Sequence, residues 1–195
     1  ATSTIRVGSG GVMMPHYAPY KMAESFRVLA SLHPGRIDLG VGRAPGSDQV
    51  TAHALAPDHQ PISIQKYPAM LAELDGFLHD DLPADSPFRG RVQATPTPDE
   101  APHLWLLASS PDSAAYAAHF GLPLAFADFI TQSDGAAIAR SYRENYSPSE
   151  RHPEPEVLVA ASVICADTHE EAEALAAGVK LWRQRGLQGP IPSPE

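Results

Sequence analysis

Cysteine is almost missing from this sequence, which has a single one, Cys165, among 195 residues. One cysteine excludes an internal disulfide and any zinc site built from several cysteines. Positive charge is scarce as well: 14 Lys and Arg stand against 23 Asp and Glu, a formal net charge of −9. This negative net charge argues against sequence-independent binding to nucleic acid phosphates or to anionic membranes, so we expect neither as a partner.

Long apolar runs and metal-binding spacings are also lacking. No run approaches the roughly 18 apolar residues that span a bilayer. The sequence does not open with a charged and then apolar targeting segment, so the expected location is cytoplasmic. The 9 histidines include no His-x-x-x-His pair, and neither a Gly-x-Ser-x-Gly elbow nor a phosphate-loop motif occurs. We therefore expect no metal site.

Apolar residues are present in the proportion and order of a globular α/β protein. They make up 43% of the chain, against 19% charged residues. Strand patterns occur at 4–14, 36–43, 103–108, 122–127 and 157–166, and helix patterns at 19–33, 64–78, 110–120, 134–145 and 170–185. Strict alternation without hairpins predicts a parallel sheet covered by helices.

The composition of single segments gives three further expectations. The continuous apolar runs of the last three strands are typical of strands buried on both faces. Cys165 falls in the last of these runs and is expected in the core. The segment 44–60 has the glycine, proline and polar residues of a long loop, which in a compact domain is usually functional or mobile.

The glycines around Arg43 could belong to a nucleotide-binding site. The pattern Gly40-x-Gly42-x-x-x-Gly46 fits a dinucleotide-binding turn poorly, because it is one residue too long and a proline stands where a helix should begin. Arg43 would lie at the C-terminal end of a parallel strand, where α/β proteins bind ligands, and there it suggests an anion such as phosphate. An ion pair between Arg43 and Asp48 would explain the arginine equally well.

The serine-rich segment 109–113 is a second candidate. Hydroxyl and backbone N–H groups at the start of a helix form an anion site. Plain capping of the helix by Ser110 is the commoner explanation. Asp112 in the first turn suits the helix dipole, but it would repel a phosphate if it pointed inward.

A third candidate is the segment Ser9-Gly10-Gly11 inside the first strand. Glycines within a strand indicate a β-bulge or the close approach of another group. A flat ring lying on the backbone is one such group. Both explanations stay open at this point.

Taken together, these segments resemble the bacterial luciferase-like flavin-dependent monooxygenases. Residues 5–15, Ala23-Glu24-x-Phe26 and, most specifically, residues 32–46 carry the resemblance, while 104–110 and 157–171 match more loosely. The resemblance implies a (β/α)8 TIM barrel that is incomplete here. We expect one barrel domain over residues 1–195, with about five βα units, lacking the N-terminal strands 1 and 2 and the C-terminal strand 8.

The resemblance also implies an FMN site. The positions that match cofactor-binding positions of the family are Ser9, Gly10, Gly11, Arg43, Ser109, Ser110 and Ser113. Arg43 with Ser110 and Ser113 would bind the phosphate. A non-proline cis peptide in the segment 9–11 would lie against the flavin ring. Candidates for the pocket wall are Met13, Met14 and Phe126, with core packing the stronger interpretation of Phe126, and the segment 44–60 is a candidate lid.

The implied activity is the oxygenation of a small organic substrate by reduced FMN and O2. A flavin reductase would supply the reduced cofactor, and a homodimer is the implied assembly. No segment matches the Ala-Glu-His-His-type motif that holds the family's catalytic histidine, so the catalytic residue stays unknown. Three alternatives remain: a truncated, non-catalytic flavin-binding relative, an F420-dependent oxidoreductase of the same fold, and a nicotinamide-binding Rossmann domain.

Overall fold

A computed structural model of the chain describes residues 2–56, 59–60, 62–130, 134–184 and 191–192. Five strands form one parallel sheet in chain order: β1 is Val7–Met13, β2 Ile37–Gly42, β3 His103–Ala108, β4 Leu124–Ala127 and β5 Val157–Ala160. The helices of the described residues are α1 Pro19–Leu32, α2 Gln49–Leu55, α3 Tyr67–His79, α4 Pro111–Phe120, α5 Gly135–Glu144 and α6 His169–Gln184. This order confirms the predicted incomplete barrel of five βα units.

The chain divides into two compact units, Ala1–Ala160 and Ala161–Glu195. The first unit holds the whole sheet and α1 to α5. The second holds α6, which begins at a cap: the Thr168 hydroxyl accepts a hydrogen bond from the backbone N of Glu171 at 3.2 Å. A single barrel domain over all 195 residues stays a prediction.

The core of the first unit lies between one face of the sheet and its helices. Leu104, Leu106 and Ala108 of β3 are buried among α3 and α4 residues, while His103, Trp105 and Leu107 between them are only half-buried. We call the face that carries these half-buried side chains the open face. The prediction that β3 is buried on both faces is therefore wrong, because helices of the described residues cover only one of them.

A bonded cluster occupies the open face near the N-terminal ends of the strands. Asp38 Oδ1 accepts hydrogen bonds from Arg6 Nη2 at 2.6 Å and from Trp105 Nε1 at 3.1 Å. The ring of His103 stacks on Trp105, with centroids 5.2 Å apart. Burial acts to raise the pKa of Asp38, but the hydrogen bonds from Arg6 and Trp105 outweigh it and hold this pKa below its ordinary value. The cluster therefore fixes the Trp105 indole in place.

β5 is shorter and more exposed than its apolar sequence predicts. It pairs with β4 over Val157–Ala160 only, and the backbone of 161–166 is irregular. Leu158 and Val159 are 49% and 59% exposed, and Cys165 is exposed instead of lying in the core. An apolar strand is buried only where another element covers it, and among the described residues β5 has β4 as its one paired neighbour.

The segment 44–60 is not a continuous loop, since α2 lies within it. The Asp48 carboxylate begins this helix by accepting hydrogen bonds from the backbone N of Val50 at 2.9 Å and of Thr51 at 3.0 Å. Ala52 is buried. Residues 57 and 58 lie outside the described residues. The loop prediction is thus wrong over 49–55, because a strongly capped helix forms between the glycine and proline residues.

An ion pair with one buried partner fixes α1 against the end of α3. Arg27 is 1% exposed and donates to the two carboxylate oxygens of Asp80 at 3.0 and 2.6 Å, and to the backbone O of Phe77 at 2.8 Å. Asp80 ends α3 in the left-handed conformation, with φ of 56°. The hydrogen bond from Arg27 holds the pKa of Asp80 below its ordinary value.

We expect Asp80→Asn to lower the free energy of unfolding by about 2 kcal/mol at pH 7, because it leaves the Arg27 charge buried without its counter-ion. Asparagine tolerates the left-handed conformation, so the substitution isolates the charge. Folding lowers the pKa of Asp80, so its contribution is complete above the unfolded-state value of about 3.9 and is lost as the pH falls through the folded-state value. Urea unfolding over this pH range measures both effects.

The control is Asp81→Asn at the next position. The Asp81 side chain is 61% exposed and lies 3.5 Å from an exposed Arg89. We expect a change in unfolding free energy of less than about 0.5 kcal/mol, because exposed ion pairs contribute little. Equal losses in the two variants would contradict the role of burial in the Arg27–Asp80 pair.

Candidate functional site

The parallel register brings two of the three candidate segments, those that follow β2 and β3, to one edge of the sheet, while Ser9-Gly10-Gly11 lies in the middle of β1. Met13 of β1 pairs with Gly42 of β2, and Gly42 pairs with Leu107 of β3. Arg43 follows Gly42 directly, and Ser109 follows the end of β3. The C-terminal edge of a parallel sheet is where α/β folds place their ligands.

β1 and β2 approach each other more closely than side chains would allow. A Cβ on Gly40 would lie 2.2 Å from the backbone O of Ser9, and a Cβ on Gly11 would lie 2.7 Å from the backbone O of Gly40. The Ser9 hydroxyl joins the strands, donating to Gly40 O at 2.9 Å and accepting from Gly40 N at 3.1 Å. The register shifts between Gly10 and Val12, so the bulge is confirmed. Because its hydroxyl is engaged with β2, Ser9 has its backbone to offer a ligand.

Open space lies beside the backbone at two positions of this pair of strands, one in the middle of β1 and one at the end of β2. The Gly10–Gly11 peptide bond is cis, as the family resemblance implies. A Cβ added to Gly10 or to Gly42 would meet no atom of the described residues within 4 Å. We call the backbone of Gly10, Gly11 and Gly42 the glycine shelf. Leu107 lies against it, since a Cβ on Gly11 would come within 2.9 Å of a Leu107 methyl group.

Arg43 extends from the end of β2 to the first turn of α4. Its Nη2 lies 4.0 Å from Asp112 Oδ2, and its guanidinium carbon lies 5.9 Å from the centre of the Tyr116 ring. The predicted alternative, an ion pair with Asp48, is wrong, because the Asp48 carboxylate caps α2 instead. The carboxylate beside Arg43 belongs to an Asp112 side chain that is 79% exposed.

The start of α4 supplies polar groups next to Arg43. The Ser110 hydroxyl accepts a hydrogen bond from the backbone N of Ser113 at 3.4 Å and lies 3.3 Å from the Ser113 hydroxyl, which confirms the predicted cap. Ser113 is buried, and Ser109 and Ser110 are half-buried. A guanidinium and a helix N-terminus both attract negative charge, so an anion is the ligand that this arrangement stabilises.

Two tyrosines adjoin Arg43 that sequence reasoning did not single out. Tyr67, the first residue of α3, meets Tyr116 edge-on, with ring centroids 5.8 Å apart. Burial raises the pKa of Tyr67, and the nearby charge of Arg43 acts to lower it. Tyr67 stands at helical spacing from the buried Met70, Leu71 and Leu74, a pattern typical of a core residue. The sequence therefore offers no signal that would have marked it.

Two of the three candidates for a pocket wall are core residues. Met14 has no exposed surface and Phe126 is 1% exposed, so the core interpretation of Phe126 is confirmed and the wall role of Met14 is wrong. Met13 packs over the turn after β2, where a Cβ on Gly46 would lie 2.0 Å from its sulfur. Gly46 has φ of +66°, so both the turn and this contact require glycine.

The described residues include neither a metal-binding cluster nor a membrane-spanning helix. No group of three or more His, Cys, Asp or Glu side chains in that part of the chain is arranged to hold a metal ion. No helix there combines the length and the apolar character needed to cross a membrane.

The family model of the luciferase-like monooxygenases matches residues 1–190. The chain belongs to this family. Its relatives include the uncharacterized protein YceB of Bacillus subtilis, 45% identical over 100% of this chain and 59% of the relative. A luciferase-like monooxygenase of Escherichia coli is 42% identical (99% and 57%), and the N-acetyl-S-alkylcysteine monooxygenase of Bacillus subtilis is 38% identical (89% and 51%). The chain thus spans little more than half the length of these relatives.

Solved structures support the same assignment. The crystal structure of apo-MsnO8 is 38% identical, with a TM-score of 0.83 over 98% of this chain and 56% of that chain. Two more distant structures share the fold. One is the oxygenating constituent of the Pseudomonas putida 3,6-diketocamphane monooxygenase in complex with FMN (17%, TM-score 0.59, covering 95% and 59%). The other is an F420-dependent secondary alcohol dehydrogenase (18%, TM-score 0.62, covering 90% and 55%).

We expect Gly40→Ala to lower the free energy of unfolding by about 2–3 kcal/mol, because its Cβ would force β1 away from β2. Gly42→Ala is the matched control, in the same strand and two residues further on, where the added methyl group meets open space. It should change the unfolding free energy by less than about 0.5 kcal/mol. Thermal and urea unfolding of the two variants measure the difference, and similar values for both would refute the close approach of the strands.

Proposed function

We propose that this protein is a flavin-dependent monooxygenase that uses reduced FMN and O2 to oxygenate a small organic substrate. The observation that carries the proposal is the convergence of Arg43 and the serine-capped start of α4 beside the glycine shelf. FMN combines a phosphate dianion with a flat ring. A cationic cradle next to open backbone meets both requirements.

The residues present fit the phosphate end of the cofactor. Arg43 would bind the phosphate together with the first-turn groups of Ser110 and Ser113. Asp112 does not oppose this fit, because its side chain is largely exposed and can turn into solvent, and exposed ion pairs contribute little energy. The phosphate would then replace Asp112 as the partner of Arg43.

The glycine shelf fits the ring end of the cofactor. Gly10 and Gly11 would lie against the ring, with Ser9 and Ser109 contributing backbone groups. Leu107 gives this part of the open face an apolar surface, which helps to keep water from the ring. Bound reduced FMN supplies the electrons for the reaction with O2. The described residues bind and orient the cofactor, and we assign a catalytic role to none of them.

The partners and location complete the proposal. A flavin reductase would deliver reduced FMN, and the enzyme would work in the cytoplasm as a homodimer, with neither nucleic acid nor a membrane as a partner. Deazaflavin F420 is the second cofactor to test, because a structure of the same fold is named for F420. A relative named N-acetyl-S-alkylcysteine monooxygenase gives the first substrate class to try, the N-acetyl-S-alkylcysteines.

Titration of the purified protein with FMN should quench the flavin fluorescence with saturation. Product analysis with a reductase, NADH, O2 and an N-acetyl-S-alkylcysteine then tests turnover. Saturable FMN binding without any oxygenated product from a panel of substrates would indicate a non-catalytic relative. Tighter binding of F420 than of FMN would replace the cofactor assignment. Binding of neither would contradict the proposal.

Substitutions at the phosphate cradle should change FMN affinity in opposite directions. Arg43→Ala should weaken binding by about 1.5–3 kcal/mol, the scale of a charge-assisted hydrogen bond. Asp112→Asn should strengthen binding about two- to fivefold, because it removes the carboxylate that competes for Arg43. Arg36→Ala, at the opposite end of β2, is the control and should leave FMN affinity unchanged. An unchanged affinity in Arg43→Ala would remove Arg43 from the site.

A further inference from the structure

The Tyr67 hydroxyl is a buried polar group without a hydrogen-bond partner among the described residues. Tyr67 is 2% exposed, so water does not replace the missing partner at the protein surface. A buried donor that is left unpaired destabilises a fold, and native structures rarely keep one without a reason.

The other buried atoms without a hydrogen bond belong to side chains that are already engaged. Arg27 bonds to Asp80 through its remaining nitrogens, and His16 reaches Pro45 O at 2.9 Å through its other ring nitrogen. Asp75 Oδ1 lies 3.1 Å from His79 Nδ1, and the His103 Nε2 lies 3.9 Å from a Glu156 oxygen. The Tyr67 side chain has a single polar atom, its hydroxyl oxygen, and no residue in the described part of the chain hydrogen-bonds to it.

The hydroxyl groups of two other tyrosines donate hydrogen bonds to backbone oxygens. Tyr142 is 1% exposed and donates to the backbone O of Leu122 at 2.9 Å. Tyr146 donates to the backbone O of Gly121 at 2.9 Å. A buried tyrosine whose hydroxyl has no partner among the described residues therefore differs from Tyr142 and Tyr146. Phenylalanine would fill the same space at Tyr67 without the cost of the unpaired hydroxyl.

The surroundings of Tyr67 indicate the missing partner. Its ring rests on Tyr116, and the Arg43 guanidinium lies over the Tyr116 ring. The Arg43 charge is near enough to act on the pKa of Tyr67, and burial raises that pKa, so the phenol stays protonated and can donate. An anion bound at Arg43 would be a strong acceptor for this donor.

We propose that the Tyr67 hydroxyl is a further ligand of the phosphate group that Arg43 binds, donating a hydrogen bond to one of its oxygens. The inference rests on the proposed function for the identity of the phosphate, which would be that of FMN. The phosphate would then be bound by residues from three parts of the fold: Arg43 after β2, the serines that begin α4, and Tyr67 of α3. On this view the binding of phosphate pairs a hydroxyl that the free protein leaves unpaired.

Tyr67→Phe tests this role. We expect its dissociation constant for FMN to rise about tenfold, the scale of a hydrogen bond to a charged group. Riboflavin has the same ring and no phosphate, so its dissociation constant should change less than twofold. The melting temperature of the free variant should equal or exceed that of the wild type. Tyr142→Phe is the matched control: it should lower the melting temperature and leave the FMN affinity unchanged.

The outcomes separate this inference from the proposed function. If the wild type binds FMN and Tyr67→Phe binds it equally well, the ligand role is wrong and the FMN assignment stands. Equal weakening toward FMN and riboflavin would also overturn it, because the effect would then come from packing around the ring. If the wild type binds neither flavin, the proposed function fails.

Inorganic phosphate gives a test that does not depend on the flavin. The melting temperature is measured with phosphate and with chloride at matched ionic strength. We expect phosphate to raise it in the wild type, and we expect this rise to be smaller in Tyr67→Phe and absent in Arg43→Ala. An equal rise in the wild type and in Tyr67→Phe, or no rise in any of the three proteins, would overturn the role of Tyr67.

Discussion

The close approach of β1 and β2 is the constraint on which the candidate site depends. Glycine at positions 11 and 40 removes the side chains that would keep the two backbones apart. The Ser9 hydroxyl then bonds to both backbone groups of Gly40 and fills the gap in the ladder. The backbone is bare at Gly10, which lies between Ser9 and Gly11, and at Gly42, the last residue of β2, since an added Cβ there meets no atom of the described residues. Bare backbone thus lies within two residues of the tightly packed glycines.

Charge at the site follows from the parallel arrangement. Neighbouring parallel strands end at the same edge, so the arginine after β2 and the helix after β3 become neighbours although about 70 residues separate them. Asp112 belongs to this arrangement as well, because an acidic residue in the first turn stabilises α4. The Asp112 carboxylate is also the ion-pair partner of Arg43, the cation that a phosphate would bind. Asp112 therefore stabilises α4 and also competes with a ligand for Arg43.

Periodicity and capping residues predicted the order of the strands along the chain and most helices. The strand pattern placed Arg43 at the C-terminal end of β2, and the family resemblance joined it with Ser110 in one site. Features set by distant neighbours were not predictable. Whether an apolar run is buried depends on the elements that cover it, so the prediction that Cys165 lies in the core was wrong. The partner of Arg43 depends on how α4 leaves β3, whereas Asp48 was the nearest acid in sequence. Tyr67 has a core residue's spacing, and only the three-dimensional count of hydrogen bonds distinguishes it.

The fixed indole of Trp105 gives the molecule an optical property. Its N–H is held by Asp38, and it stands two residues before Leu107 on the same face as the glycine shelf. Indoles emit in the near ultraviolet, where flavins absorb. A flavin on the shelf would accept this excitation energy, so the natural emission of the protein reports occupancy without a label. The chain has 2 tryptophans, and replacing Trp182, which lies in the second unit, would leave Trp105 as the one indole that emits.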